Sequence, residues 1–185
     1  KTMCGIVAAA SHRNVVPILL DGLTRLEYRG YDSAGIALTE NNKILRIRKQ
    51  GKVVELYKTI KKEKNLKSPT GVAHTRWATH GEPSEINAHP HISGDDYSNS
   101  EIALVHNGII ENFADIREKL TAEGYIFSSK TDSEVIVHLI HWYRKDHDLI
   151  GAVAHATADL VGDFAITVIE ANNPDTIVGA RHGCP

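Results

Sequence analysis

Cys4 stands at the head of a short apolar run, Gly5-Ile-Val-Ala-Ala-Ala10, and that junction constrains the chain more than any other stretch. A run of this kind fits a buried strand, although alanine is a weak strand former. A thiol at the leading end of such a strand is held at the rim of the core. Only Lys1-Thr2-Met3 precede it. A thiol at the very start of a mature chain lies beside its own α-amine, whose pKa of about 7.7–8.0 suits a general base at cellular pH. The placement points to an N-terminal nucleophile. The other reading is a small buried hydrophobe, a common fate of free cysteine. Met3 reads as the biological start and Lys1-Thr2 as a remnant of something upstream.

The 185 residues, 42% of them hydrophobic, suffice for one domain with a sizeable core. A formal charge of -2, from 21 basic against 23 acidic residues, leaves no electrostatic footprint for nucleic acid or an anionic membrane. Apolar stretches such as Ile18-Leu19-Leu20 and Val135-Ile136-Val137 fall far short of the roughly 20 residues of a spanning helix. Two cysteines make no disulfide framework, so the expected setting is the reducing cytoplasm.

Helical spacing of Val16, Leu19, Leu20, Leu23 and Leu26 predicts a helix over Val15–Tyr28, with Pro17 in its first turn. Alternation over Ala34–Thr39 and Lys43–Arg48, around Glu40-Asn41-Asn42, predicts an antiparallel hairpin. A short helix is expected over Val53–Ile60, then a solvated basic stretch through Lys67. Gly71–Trp77 reads as a strand and Ala78–Ser100 as a long polar loop, a type of segment often tied to function. Glu101–His106 reads as a strand, Asn112–Glu123 as a helix stopped by Gly124, and Thr131-Asp-Ser-Glu134 as a capping box before a helix over Val135–Tyr143. A helix over Leu149–Leu160, a strand over Phe164–Ile169, a turn at Asn172–Asp175 and a strand over Thr176–Ala180 complete the chain. Mixed strands and helices of this kind are compatible with a parallel α/β sheet.

Three segments carry chemistry beside Cys4. His74-Thr-Arg-Trp-Ala-Thr-His80 places an arginine, suited to a two-pronged grip on a carboxylate, next to a flat indole wall; an edge strand with satisfied polar groups is the plainer reading. Asn107-Gly108 offers a side-chain amide and an exposed N–H, the donors of an oxyanion hole, or else an ordinary turn. Asp132 is either a helix cap or an anchor for an ammonium group. The eleven histidines include His89-Pro-His91 and His138-Leu-Ile-His141, but neither pair has a partner set at zinc spacing, so no metal is expected.

Five ordered segments, Cys4-Gly-Ile-Val, Leu26-Glu-Tyr-Arg-Gly-Tyr-Asp-Ser-Ala-Gly35, His74-Thr-Arg-Trp-Ala-Thr-His-Gly-Glu-Pro83, Asn87-Ala-His-Pro90 and His106-Asn-Gly-Ile-Ile-Glu-Asn112, together resemble the glutaminase domain of the glucosamine-6-phosphate synthases, which are class II glutamine amidotransferases. The resemblance implies an α+β fold, the N-terminal nucleophile hydrolase four-layer αββα sandwich, over residues 4–185 and incomplete at its C-terminus. It also implies hydrolysis of L-glutamine without a cofactor, with Cys4 as nucleophile, its α-amine as base, and Asn107 with Gly108 as oxyanion hole. Arg76 would hold the glutamine α-carboxylate and Asp132 its α-ammonium. Thr79 and His80 would line the site, Trp77 would belong to a loop that closes over glutamine, and Arg29 would support the architecture.

In the full enzymes of that family, ammonia converts fructose 6-phosphate to glucosamine 6-phosphate on two sugar-isomerase domains absent here, in a homodimer. Retention of residues 1–3 would turn the α-amine into a peptide nitrogen and remove the base. Two other readings stay open: a noncatalytic glutamine-binding or interaction module, and the glutaminase domain of a phosphoribosylpyrophosphate amidotransferase.

Overall fold

A computed structural model describes residues 4–29, 31–63, 66–77, 82–94 and 101–184, the side chain of Arg29 excepted. The chain opens with β1 (Gly5–Ala10), α1 (Val16–Leu26) and a short 3₁₀ turn at Glu27–Arg29. The hairpin β2 (Ser33–Glu40) and β3 (Lys43–Gln50) follows, then α2 (Val53–Lys62) and β4 (Thr70–Arg76). Next come β5 (His91–Ser93), β6 (Ile102–Ile110), α3 (Phe113–Ala122), α4 (Ser133–Arg144) and α5 (Leu149–Asp159). The strands β7 (Gly162–Glu170) and β8 (Asn173–His182) close the order.

Local sequence explains most of these elements. Asn41 and Asn42 both take positive φ, 49° and 59°, the geometry a two-residue hairpin turn demands and asparagine tolerates. The apolar stripe Val16, Leu19, Leu20 and Leu23 buries one face of α1, and Val53, Leu56 and Ile60 do the same for α2. Glu27 accepts the Val53 N–H at 2.9 Å, tying the start of α2 to the end of α1. Gly124, at φ 91°, ends α3 with its N–H on the Thr121 carbonyl.

Two four-stranded sheets form, in the orders β1-β4-β2-β3 and β5-β6-β7-β8, and every ladder between these strands is antiparallel. Alternation along each strand then builds the layers. Ala34, Ile36 and Leu38 of β2 and Ala73 of β4 pack on α1 and α2, while Ala37 and Val72 turn to the opposite sheet. In β6, Ile102 and Leu104 pack on the helical layer of α3, α4 and α5, and Ala103 and Val105 turn inward. The result is helices, sheet, sheet, helices: the αββα sandwich, not a parallel α/β sheet. No helix among the described residues is long and apolar enough to cross a membrane.

Three local expectations change, and one of two open readings is closed. Thr131 and Glu134 form no capping box: Asp132 occupies the N-cap position without a side-chain cap bond, and the Glu134 carboxylate instead turns back to Ser128 and Ser129. Asn107-Gly108 makes no turn, because β6 runs on to Ile110 by pairing with β7, Asn107 opposite Ala165 and Gly108 opposite Phe164. A three-residue strand, β5, lies within the stretch read as loop. Pro174 lies inside β8 at a register shift near Glu170, where an edge strand accommodates a residue without an N–H.

Candidate active site

Strand periodicity puts the chemistry on one surface. In β1 the residue two before Ile6, which faces the second sheet, is Cys4. On β4 the inward column is Val72, His74 and Arg76, and on β6 it is Ala103, Val105 and Asn107. Because Gly5 pairs with Thr75 and Ile6 with His74, Cys4 comes opposite Arg76. The three columns turn from apolar to polar toward the same end of the sandwich.

At that end Cys4 Sγ accepts the Trp77 N–H at 3.2 Å, and its carbonyl accepts Asn107 Nδ2 at 3.2 Å. Burial pushes the Cys4 thiol up from its ordinary range, against the opposing pull of the Trp77 N–H and the Arg76 charge. The thiol is therefore protonated at neutral pH and needs a base to become a nucleophile. Arg76 is buried beside Asp32, with Nη1 4.0 Å from Oδ1, and its carbonyl accepts the Asp32 N–H. Burial lowers the Arg76 guanidinium from its ordinary value, opposed by the charges of Asp32, Cys4 and Asp132.

Asn107 is held on its other side by His74, whose Nε2 lies 2.8 Å from Oδ1. Next to it, Gly108 sits at φ 133°, in the region that favours glycine, and a Cβ there would run into the Asp163 carbonyl. Asp132 is buried and its Oδ2 accepts the Ile110 N–H at 2.9 Å, so it bridges the start of α4 and the end of β6. The preceding turn is pinned by Glu134. Although burial opposes it, the imidazole of His138, 3.8 Å away, and hydrogen bonds from Ser129 and Ser128 hold that carboxyl well below the usual range.

Behind these groups lies a set of histidines, of which spacing marked His89 and His91 only as a pair rejected as metal ligands. His89 stacks on His74 at 4.2 Å between centroids and meets His91 edge-on at 4.7 Å. Gly35 leaves room for this segment, since a Cβ there would strike the His89 carbonyl. The His106 N–H donates to His89 Nδ1, and His106 Nδ1 pairs with Ser133 Oγ at 2.8 Å. Burial lowers His74 to about 3 and His106 to about 4, and drives His89 and His91 well below the ordinary value. All four are neutral at neutral pH. Among the described residues, no group of three or more His, Cys, Asp or Glu is arranged to hold a metal.

The structure thus brings Cys4, Arg76, Trp77, Asn107 and Gly108 together at one end, with Asp132 bonded to the last residue of β6. Thr79 and His80 lie outside the described residues, as does the Arg29 side chain. Asp32, His74 and His89 were quoted in the motifs without a role of their own. The signal that finds His74 is its place two residues before Arg76 on the same strand face.

The sequence model of a glutamine amidotransferase domain matches residues 74–184. Over 99% of its length the chain is 48% identical to a protein of Acinetobacter baylyi and 54% identical to one of Idiomarina loihiensis, both named glutamine–fructose-6-phosphate aminotransferase [isomerizing]. It spans only 29% of the length of each. Among solved structures, the glutamine phosphoribosylpyrophosphate amidotransferase of B. subtilis superposes over 97% of the chain and 36% of its own, with a TM-score of 0.76 at 28% identity. A glutamine aminotransferase class-II domain protein from Silicibacter pomeroyi shares the fold at a TM-score of 0.62 and 16% identity, over 97% of this chain and 77% of its own. The matched segment takes in more than half of the sequence, and both Arg76 and the Asn107-Gly108 step lie within it, so the chain belongs to the glutamine amidotransferase domain family.

Proposed function

We propose that the chain is the glutaminase part of a glucosamine-6-phosphate synthase and hydrolyses L-glutamine to glutamate and ammonia through a Cys4 thioester. The observation that carries this reading is the meeting of Cys4 and Asn107 at 3.2 Å across two sheets, at the end where Arg76 is buried.

The α-amine of Cys4, free once residues 1–3 are removed, takes the thiol proton, and Sγ attacks the side-chain amide carbon of glutamine. Negative charge develops on the amide oxygen, where Asn107 Nδ2 and the Gly108 N–H stabilise it. Collapse of the tetrahedral intermediate, with the proton returned to nitrogen, expels ammonia and leaves a glutamyl thioester. Water then attacks that thioester, the amine again taking a proton, and releases glutamate with the thiol restored. Arg76 pairs with the substrate α-carboxylate and Asp132 with its α-ammonium, opposite charges for the two ends of a zwitterion. Trp77, about half exposed beside the thiol, walls the site, with Thr79 and His80 lining it and Arg29 as architectural support.

In the longer protein, a cytoplasmic enzyme on this reading, the ammonia passes to fructose 6-phosphate on the isomerase domains. The identity of 48–54% to proteins named for that reaction, against 28% to the phosphoribosylpyrophosphate enzyme, favours this branch.

The test is a sample whose mass shows Cys4 as first residue. Release of glutamate from glutamine, and stoichiometric labelling of Cys4 by an electrophilic glutamine analogue, are expected. A folded sample that does neither overturns the reading; one that binds glutamine without turnover is a noncatalytic module instead.

A further inference from the structure

We propose that His74 is a positioning residue that decides which way the Asn107 side-chain amide faces. Its Nε2–H holds Asn107 Oδ1 and so keeps the donor end, Nδ2, toward Cys4. The inference rests on the reading of Asn107 as an oxyanion donor.

Proton bookkeeping at the two contacts leads there. The Cys4 carbonyl can only accept, so the Asn107 atom 3.2 Å from it is the amide nitrogen. The oxygen Oδ1 then faces His74 Nε2 at 2.8 Å, and since Oδ1 can only accept, that ring nitrogen carries the proton. A histidine with its proton on Nδ1 would present a lone pair to Asn107. The amide would gain by flipping, and Oδ1 would then confront the Cys4 carbonyl. One tautomer therefore fixes two bonds at once.

The surroundings of His74 support this arrangement. It lies on β4 between Val72 and Arg76 along the inward column, and both faces of the strand are covered. His89 stacks on its ring, 4.2 Å away and 29° from parallel, which limits rotation. The His89 Nδ1 accepts the His106 N–H, so that nitrogen carries no proton. A stack of two neutral imidazoles avoids the repulsion that two charged rings would suffer, and burial keeps His74 neutral down to about pH 3.

A flipped Asn107 would aim a lone pair where charge builds up in the transition state. It would oppose the reaction that the correct orientation assists. His74 touches no reacting atom in this account, and its whole effect passes through Asn107.

Four variants and one spectrum test this, in the chain with Cys4 first. His74→Phe keeps the ring volume and removes the donor, and His74→Gln restores an N–H near the position of Nε2. His74→Phe should lower kcat by about 10- to 100-fold, part of the 10²–10³ that loss of an oxyanion donor causes, with KM for glutamine little changed. His74→Gln should recover most of that loss. In an Asn107→Ala background, His74→Phe should cause no further loss. Additive losses, or wild-type kcat in a folded His74→Phe protein, overturn the proposal. Histidine ¹⁵N NMR reads the tautomer without turnover: a proton on Nε2 is expected, and one on Nδ1 overturns the proposal even where His74→Phe fails to fold. If Asn107→Ala alone keeps full activity, the oxyanion reading fails, while the spectrum still reports on the His74–Asn107 bond.

Discussion

The space between the two sheets has two ends built on different principles. At one end Ile6, Ala37, Val72, Ala103, Val105 and Ile169 pack as an apolar cluster. At the other, the same strand faces carry Cys4, His74, Arg76 and Asn107, with His89 and His91 filling between them. The apolar end stabilises through area removed from water, about 25 cal/mol per Å² and insensitive to direction. In the polar end each group gains little net energy but is fixed by distance and by proton position. Rigid apolar packing two residues along each strand is what holds the polar groups in register.

That contrast can be broken from either side. The largest effect is expected for Cys4→Ala, which on the proposed chemistry lowers glutamine turnover by about 10⁴-fold or more, the scale on which losing a covalent nucleophile acts. A thermal midpoint close to wild type should accompany it, since the side chain is small and lies at the rim. Residual activity near wild type would remove the polar end from the chemistry altogether.

Acid should weaken the polar end next. The unfolded chain takes up a proton on each histidine below its ordinary value near 6.5, whereas His74 and His106 resist until about 3 and 4. Between those limits the unfolded state binds more protons, so stability falls as pH falls, by about 1.4 kcal/mol per pH unit for each buried neutral histidine. Denaturant midpoints at pH 7.5 and 5 measure this. Equal midpoints would mean that the cluster is already protonated or open to water in the folded state.

Ile169→Ala tests the apolar end. It should cost about 2–5 kcal/mol in a denaturant titration, with KM for glutamine little changed at a temperature where the variant is folded. A large change in KM with little loss of stability would show the two ends to be one unit.

The smallest effect is expected from Val72→Thr, nearly isosteric with valine. A buried hydroxyl at the apolar end should cost about 1–3 kcal/mol unless it finds a partner. A neutral result would show that the new hydroxyl finds a partner within the cluster, as Thr70 does with the Pro174 carbonyl.

Much of the scaffold was legible because its determinants are local. The stripe of α1, the Asn41-Asn42 turn and the Gly124 stop each arise from spacing or turn chemistry within a few residues. Readings failed or stayed open where a partner outside the local turn intervened. Asn107-Gly108 has the composition of a turn, yet β7 offers it a ladder. Glu134 has capping-box spacing, but its carboxylate is taken by Ser128 and Ser129.

The candidate site divides in the same way. Cys4, Arg76, Trp77, Asn107 and Asp132 were marked by residue type and by motif resemblance, whereas the role of His74 was not, since its partner lies 33 positions away.

The sequence by itself thus determined most of the elements, through periodicities of 2 and 3.6 that need no knowledge of neighbours, and pointed to the family through the resemblance of five ordered segments. Only the tertiary structure decided that Cys4 and Asn107, 103 positions apart, share one end of the sandwich. That depends on the register of two separate sheets, and register is set by packing across the core. The same packing buries the histidines, lowers their pKa values and assigns the proton that faces Asn107.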